Sequence, residues 1–150
     1  TMQLQTTQPQ LFVSADKQRI SQVLINLISN SIKYANREEA QIIVSTREGT
    51  KSIHISVEDN GMGIKPENLP RIFERFFRVE SSRSRKEGGS GLGLAIVKHI
   101  LEAHQQTIAV ESTYLSGTKF KFKLTKSTPR IKKINGISIG NSIPGKAQNL

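Results

Sequence analysis

Apolar residues recur at helical spacing in two stretches of the chain. The first stretch follows Asp16 and has apolar residues at Ile20, Val23, Leu24, Leu27, Ile28 and Ile32. The second runs from Leu92 to His104, with Leu94, Ile96, Val97, Ile100 and Leu101. Steps of three and four residues place side chains on one face of a helix. The pattern therefore predicts two amphipathic helices, with Asp16 as the N-cap of the first.

Strand-like segments flank these helices. They lie at residues 41–46, 51–58, 107–111 and 118–124, and the short apolar run at residues 11–13 predicts a further edge strand. In the second of the four, Ile53, Ile55 and Val57 alternate with polar residues, so one face of the sheet is predicted to be buried. After Lys126 the apolar residues are scattered among Gly, Ser, Asn and Pro. We therefore expect a domain at residues 1–125 and a flexible basic appendage at residues 126–150.

Composition and charge exclude several classes of function. The chain has 150 residues and no cysteine, which rules out a disulfide framework, a thiol nucleophile and a thiolate zinc site. Five of its 22 basic residues lie in the last 25 positions, which contain no acid; the other 17 stand against 12 acidic residues, so the net charge falls from +10 to +5. The chain contains no aromatic-basic motif of the RNA-module kind, so no nucleic-acid partner is expected.

No membrane segment or signal peptide is predicted for this chain. It has no run of 18 apolar residues, and its N-terminus lacks a basic start followed by an apolar stretch. We expect a soluble cytoplasmic domain without membrane contact of its own, whose parent protein can still be membrane-anchored.

Two glycine-rich loops carry the first candidate chemistry. Asp59 ends a predicted strand and is followed by Gly61 and Gly63. A carboxylate there can accept a charge-assisted hydrogen bond from the amino group of a purine, although Asp-Asn-Gly is also an ordinary turn. The second loop contains Gly89, Gly91 and Gly93 and leads directly into a predicted helix, where free N–H groups and the helix dipole suit phosphate. Its alternative reading is a flexible linker.

The remaining polar candidates surround these loops. Asn26, Asn30 and Lys33 follow one another at helical spacing, which predicts either a magnesium and phosphate site or a solvated helix face. Arg78, Arg83, Arg85 and Lys86 precede the second loop and could close over a triphosphate, or form a solvated charge run. The three histidines, His54, His99 and His104, have no metal-like spacing and are expected at the surface.

The order of these motifs closely resembles the ATP-binding catalytic domain of two-component sensor histidine kinases, over roughly residues 8–125. Residues 26–34 (NLISNSIKY) resemble the N box, 59–64 (DNGMGI) the first glycine box, 72–78 (IFERFFR) the F box and 89–96 (GSGLGLAI) the second glycine box. This family belongs to the superfamily of gyrase, chaperone and mismatch-repair ATPases. The resemblance implies an α/β two-layer sandwich of the Bergerat type, with a mixed five-stranded sheet and three helices on one face, and a mobile lid at about residues 77–90.

The resemblance also implies roles for individual residues. Asp59 would bind the adenine amino group, and Asn26 and Asn30 would hold Mg²⁺, with Arg78 as a third catalytic residue. Lys33, Tyr34 and Arg78 would contact ribose or phosphates. The other residues implied in the ATP site are Gly61, Gly63, Ile64, Phe73, Gly89, Ser90, Gly91, Leu92, Gly93 and Leu94.

Asn26 distinguishes between branches of the superfamily. The hydrolysing ATPases have a glutamate at this position, whereas an amide cannot act as a general base. The expected activity is therefore transfer of the γ-phosphoryl group of Mg-ATP to a histidine, with a response regulator as the downstream partner. A hydrolysing conformational clamp and an anti-sigma-factor-like serine kinase are the alternatives. None of the three histidines is followed by an acid, so the phosphoacceptor is expected on a separate dimerisation domain, without which this chain would not autophosphorylate.

Overall fold

A computed structural model describes residues 1–35, 39–79 and 89–128, together with the backbone of residues 131–134 and 137–140. Its helices are α1 (Lys17–Lys33) and α2 (Gly93–Ala103), with a single 3₁₀ turn at Leu69–Arg71. Its strands are β1 (Met2–Thr6), β2 (Ile42–Glu48), β3 (Ser52–Asp59), β4 (Ile108–Thr113), β5 (Gly117–Thr125), β6 (Ile131–Ile134) and β7 (Ile137–Gly140).

The first five strands form one mixed sheet in the order β1-β2-β3-β5-β4. β1 runs parallel to β2, and every other neighbouring pair is antiparallel. The expected mixed five-stranded sheet is confirmed. Asp59, the last residue of β3, lies opposite Thr118 near the start of β5, so both residues are at the same end of the sheet.

The hydrophobic core lies between one face of the sheet and the two helices. The alternating residues Ile53, Ile55 and Val57 are buried there, as the sequence predicts. Their partners in the core include Val23 and Leu27 of α1, Val97, Ile100 and Leu101 of α2, and Phe120, Phe122 and Leu124 of β5. Because the two helices cover only this face, the other face of the sheet carries the polar members of the alternation.

Both helices agree with the predicted stripes, except at one position. The Asp16 carboxylate accepts a hydrogen bond from Arg19 N at 3.0 Å and caps α1, as predicted. The predicted stripe member Ile32 is instead 62% exposed, while its neighbour Ser31 is buried. At the C-terminal end of α1 the buried side chain is thus Ser31 instead of Ile32, and Ser31 faces the polar side chain of Asp59.

The first strand was predicted in the wrong place. The edge strand is Met2–Thr6, whose residues are all exposed, so no buried apolar face marks it in the sequence. In the predicted segment, Leu11 packs against the core and Val13 forms only an isolated bridge with Lys126. The apolar residue types at positions 11–13 resemble a strand in the sequence, whereas backbone pairing with β2 defines the actual one.

Three smaller expectations also change. Within the described residues there are two α-helices, and the segment beside the F box forms only the 3₁₀ turn containing Pro70. Beyond Lys126, where no element was predicted, β6 and β7 pair antiparallel. His54 and His99 are exposed as expected, but His104 is half-buried; its Nε2 lies 3.1 Å from Asp16 N and its Nδ1 lies 2.8 Å from Ile100 O. It therefore ties the end of α2 to the start of α1.

Candidate nucleotide-binding site

Asp59 is held in one orientation at the end of β3. Its Oδ2 accepts a hydrogen bond from Ser31 Oγ at 2.8 Å, and its Oδ1 accepts one from Gly61 N at 2.9 Å. Each carboxylate oxygen can accept a second hydrogen bond. The carboxylate is thus oriented by the protein and retains capacity for a donor such as an exocyclic amino group.

The first glycine box passes too close to neighbouring backbone for a side chain. A Cβ at Gly61 would lie 2.6 Å from Tyr34 O, and one at Gly63, where φ is +68°, would lie 2.1 Å from Thr113 O. Met62 N donates to Tyr34 O at 3.0 Å. These contacts place the box between the end of α1 and the turn that joins β4 to β5, and the two glycines are required by that close approach.

The second glycine box meets the F box and opens α2. Phe76 N donates to Gly91 O at 2.9 Å, and a Cβ at Gly91 would lie 2.9 Å from the Phe76 backbone. The N-terminus of α2 has no side-chain cap, in contrast to α1 with Asp16. An uncapped helix N-terminus is a favourable position for an anionic group, because its first N–H groups lack hydrogen-bond partners and the helix dipole places partial positive charge there.

Helix α1 connects the two loops. Near its middle, Asn26 Nδ2 donates to Gly93 O at 3.3 Å, and one and a half turns later Ser31 donates to Asp59. Five residues of α-helix span about 7.5 Å along the axis. The half-buried Asn30 lies between these two contacts, one turn after Asn26. One rigid element therefore sets the spacing between the carboxylate and the start of α2.

Lys33 and Tyr34 lie at the end of α1, beside both glycine boxes. The Lys33 ammonium is 5.1 Å from the centroid of the Tyr34 ring, a cation–π contact. It would lie 3.1 Å from a Cβ at Gly89. The structure thus brings a positive charge to the beginning of the second glycine box, where the sequence predicts phosphate.

Three other residues predicted for the ATP site pack against the hydrophobic core. Phe73 packs edge to face with Phe120, with ring centroids 6.4 Å apart. The half-buried residues Ile64 and Leu94 also pack against the core. Their roles in binding ATP stay predictions.

The predicted lid is only partly within the described residues. Arg78, Gly89 and Ser90 are exposed, and Leu92 N donates to Ser90 Oγ at 3.3 Å. Residues 80–88 lie outside the described part of the chain, and Arg83, Arg85 and Lys86 are among them.

Three hydroxyl residues near Asp59 were missed by the sequence reasoning. Ser31 is 2% exposed and Thr118 is 7% exposed. Ser112 Oγ lies 2.9 Å from Thr118 Oγ1 and accepts from Ile64 N at 2.8 Å. Thr118 could have been found, since it continues the inward alternation of Phe120 and Phe122. Ser31 gave no such signal, because its partner is 28 residues away.

The candidate metal ligands are amides. Within the described residues no group of three or more His, Cys, Asp or Glu side chains could hold a metal ion. Asn26 and Asn30 are one helical turn apart on the same side of α1. Asn26 uses its amide nitrogen to contact Gly93, which leaves its amide oxygen for a cation. Hard oxygen ligands beside a phosphate site suit Mg²⁺, so the residues present fit this ion.

Gly93 offers a test that separates folding from binding. A Cβ here would meet its nearest described neighbour, Asn26 Cγ, at an ordinary 4.0 Å, so the fold does not require glycine. We expect Gly93→Ala to leave the free energy of unfolding unchanged or to raise it by about 0.5 kcal/mol. If phosphate approaches the Gly93 backbone, the same change should weaken ATP binding severalfold. Thermal melting and calorimetric titration measure the two effects. Unchanged ATP affinity would remove Gly93 from the phosphate site.

Comparisons with known proteins identify the family and the fold. Residues 15–128 match the family model described as histidine kinase-, DNA gyrase B- and HSP90-like ATPase. The sensor protein RprX of Bacteroides fragilis is 42% identical over 121 residues, which are 80% of this chain and 23% of RprX. The catalytic domain of the histidine kinase ThkA, in a nucleotide-free form, has a TM-score of 0.70 at 32% identity, covering 83% of this chain and 79% of that one.

A second solved structure extends the comparison to a nucleotide complex. Full-length ShkA in complex with AMPPNP has a TM-score of 0.72 at 27% identity, covering 85% of this chain and 26% of ShkA. The chain belongs to the family of histidine kinase-, DNA gyrase B- and HSP90-like ATPases, and its fold is that of a histidine kinase catalytic domain. It spans about a quarter of the length of the curated relatives that it matches. In the described part of the chain, no helix is long and apolar enough to cross a bilayer.

Proposed function

We propose that this domain binds Mg-ATP and that the parent protein transfers the γ-phosphoryl group to a histidine on a separate helical dimerisation domain. The observation that carries the proposal is the double attachment of α1, with Asn26 on Gly93 and Ser31 on Asp59. It supports one ligand that spans both loops, with a hydrogen-bond donor at Asp59 and an anionic part at the start of α2. The similarity to sensor kinases supports a two-component system with a response regulator as partner.

Each residue of the site then has a physical role. Asp59 accepts from the adenine amino group, and the N-terminus of α2 orients the phosphates. Asn26 and Asn30 hold Mg²⁺, while Lys33, Tyr34 and Arg78 contact ribose or phosphates. Mg²⁺ held by the two asparagines would supply positive charge to offset that of the phosphates. The residues of the chain position ATP and exclude water, which is most of what phosphoryl transfer requires of a protein.

Transfer is favoured over hydrolysis because of the residue at position 26. An amide does not take a proton at neutral pH, so Asn26 cannot activate a water molecule. Its amide nitrogen is, moreover, engaged with Gly93 O. The acceptor imidazole has its own lone pair and can attack phosphorus without a base on this domain.

Reconstitution with the parent's dimerisation domain tests the proposal. We expect labelled phosphate from the γ-position of ATP to appear on that domain as acid-labile, base-stable phosphohistidine, with little release of inorganic phosphate. Asn30→Ala should reduce the rate of labelling about tenfold, because loss of one ion-dipole contact of about 1.4 kcal/mol in the transition state lowers a rate tenfold. Steady ATP hydrolysis with nucleotide-dependent dimerisation would indicate a clamp instead, and acid-stable phosphoserine on a partner would indicate a serine kinase.

A further inference from the structure

A row of basic side chains crosses the face of the sheet that the helices leave uncovered. Arg47 on β2 lies directly opposite His54 on β3, which in turn lies opposite Lys123 on β5. All three are exposed. We call these three residues the basic row. Their side chains alternate with the buried residues Ile53, Ile55, Phe122 and Leu124, so the polarity of the two faces fixes their outward direction.

The basic row differs from the charged rows beside it. Lys119 pairs with Glu58 at 2.7 Å, and Lys121 pairs with Glu111. Neither Arg47 nor Lys123 has an acidic partner among the described residues. Arg47 and Lys123 lie on strands that β3 separates, so the two charges do not face each other directly. Both charges are therefore available to an anionic partner.

The row lines a shallow concavity of about 460 Å³. Hydroxyl groups of Ser45, Ser56 and Thr107 also line it and can donate hydrogen bonds to carboxylates. Ile55, Ala109 and Phe122 contribute the apolar part of the lining. The large apolar side chains that are exposed elsewhere in the described residues, such as Ile25 and Phe76, are not among its lining. The charged part of this surface is therefore complementary to a negatively charged partner.

This surface is separate from the nucleotide site. His54 and Asp59 are five residues apart on β3, a distance of about 17 Å along an extended strand. Their side chains also lie on opposite faces, because their positions along the strand differ by an odd number. An occupant of the concavity would not enter the ATP pocket.

We propose that the basic row is a docking site for an acidic polypeptide segment, whose Asp or Glu carboxylates lie across β2, β3 and β5. An anionic bilayer fits less well, because surface-binding elements usually add Trp, Phe or Leu side chains that enter the lipid. The concave shape and the hydroxyl lining favour discrete carboxylates. Docking here leaves the ATP site open, so it can hold a regulatory partner while nucleotide is bound.

Binding of a defined peptide tests this proposal. The probe is a fluorescent twelve-residue peptide with six glutamates, titrated with the chain at 20 and 150 mM salt and followed by anisotropy. We expect saturable binding that weakens with salt and that becomes about tenfold weaker in the double variant Arg47→Glu/Lys123→Glu. Arg47→Gln/Lys123→Gln should give an intermediate loss, and ATP affinity should stay within about twofold of wild type in both.

The matched control changes the net charge by the same amount at another place. Lys17→Glu/Arg19→Glu reverses two exposed charges on α1 and should leave peptide affinity within about twofold. Equal losses in the two glutamate variants would show that only net charge matters and would overturn the proposal. The absence of peptide binding would also overturn it. So would a protein that binds phosphatidylserine vesicles or duplex DNA through Arg47 and Lys123 but does not bind the peptide.

Discussion

Replacing Asp59 with alanine is expected to weaken ATP binding about 10- to 100-fold. A hydrogen bond to a charged group contributes about 1.5–3 kcal/mol, and each 1.4 kcal/mol corresponds to a factor of ten in affinity. The structure strengthens this expectation, because Ser31 and Gly61 N already fix the carboxylate before nucleotide arrives. Isothermal titration calorimetry with ATP and Mg²⁺ measures the change directly.

Two companion measurements assign the loss to the adenine amino group. Glu58→Ala removes the neighbouring carboxylate, which faces the other side of the sheet and pairs with Lys119, and should leave ATP affinity unchanged. Asp59→Asn keeps the size of the side chain. It should remove the preference for ATP over inosine triphosphate, which carries an oxygen in place of the amino group. A wild-type protein that binds the two nucleotides equally would contradict the role given to Asp59.

Gly117→Ala is expected to destabilise the domain by about 3 kcal/mol or more, the largest effect on stability that we predict. The residue has φ of +141°, and a Cβ would lie 2.0 Å from Asp59 O and 3.0 Å from Asn60 Cα. Both clashes are with backbone atoms, which cannot turn aside as a flexible side chain can. The start of β5 would have to move away from the end of β3, and ATP affinity should fall with stability. Urea unfolding followed by circular dichroism gives the free energy.

Gly93→Ala serves as the control for this change. Both substitutions add one methyl group to a glycine, but a Cβ at Gly93 would meet no described atom from outside its own helix closer than Asn26 Cγ at 4.0 Å, and φ there is not positive. A similar loss of stability in the two variants would mean that close backbone contact is not what requires glycine at position 117. A stable Gly117→Ala protein would show that β5 can shift without cost.

Much of the architecture could be read from the sequence because it depends on local periodicity. The stripes of α1 and α2, the cap at Asp16 and the alternation of Ile53, Ile55 and Val57 all reflect repeats of 3.6 or two residues. The strand Met2–Thr6 could not be read in this way, because its residues are all exposed and only its parallel pairing with β2 makes it a strand. Helical periodicity predicted that Ile32 is buried, whereas in the structure Ser31 is buried and donates a hydrogen bond to Asp59.

The sequence by itself determined the inventory of the site: one carboxylate at a strand end, two asparagines one helical turn apart, and two glycine loops in a fixed order. These features are local, since each depends on residue type and on spacing over a few positions. Only the tertiary structure decided how they meet. Asn26 reaches Gly93 across 67 positions of sequence, and Ser31 orients Asp59 across 28. Such contacts depend on the packing of α1 against α2 and the sheet, and no local pattern encodes a distance between residues brought together by folding.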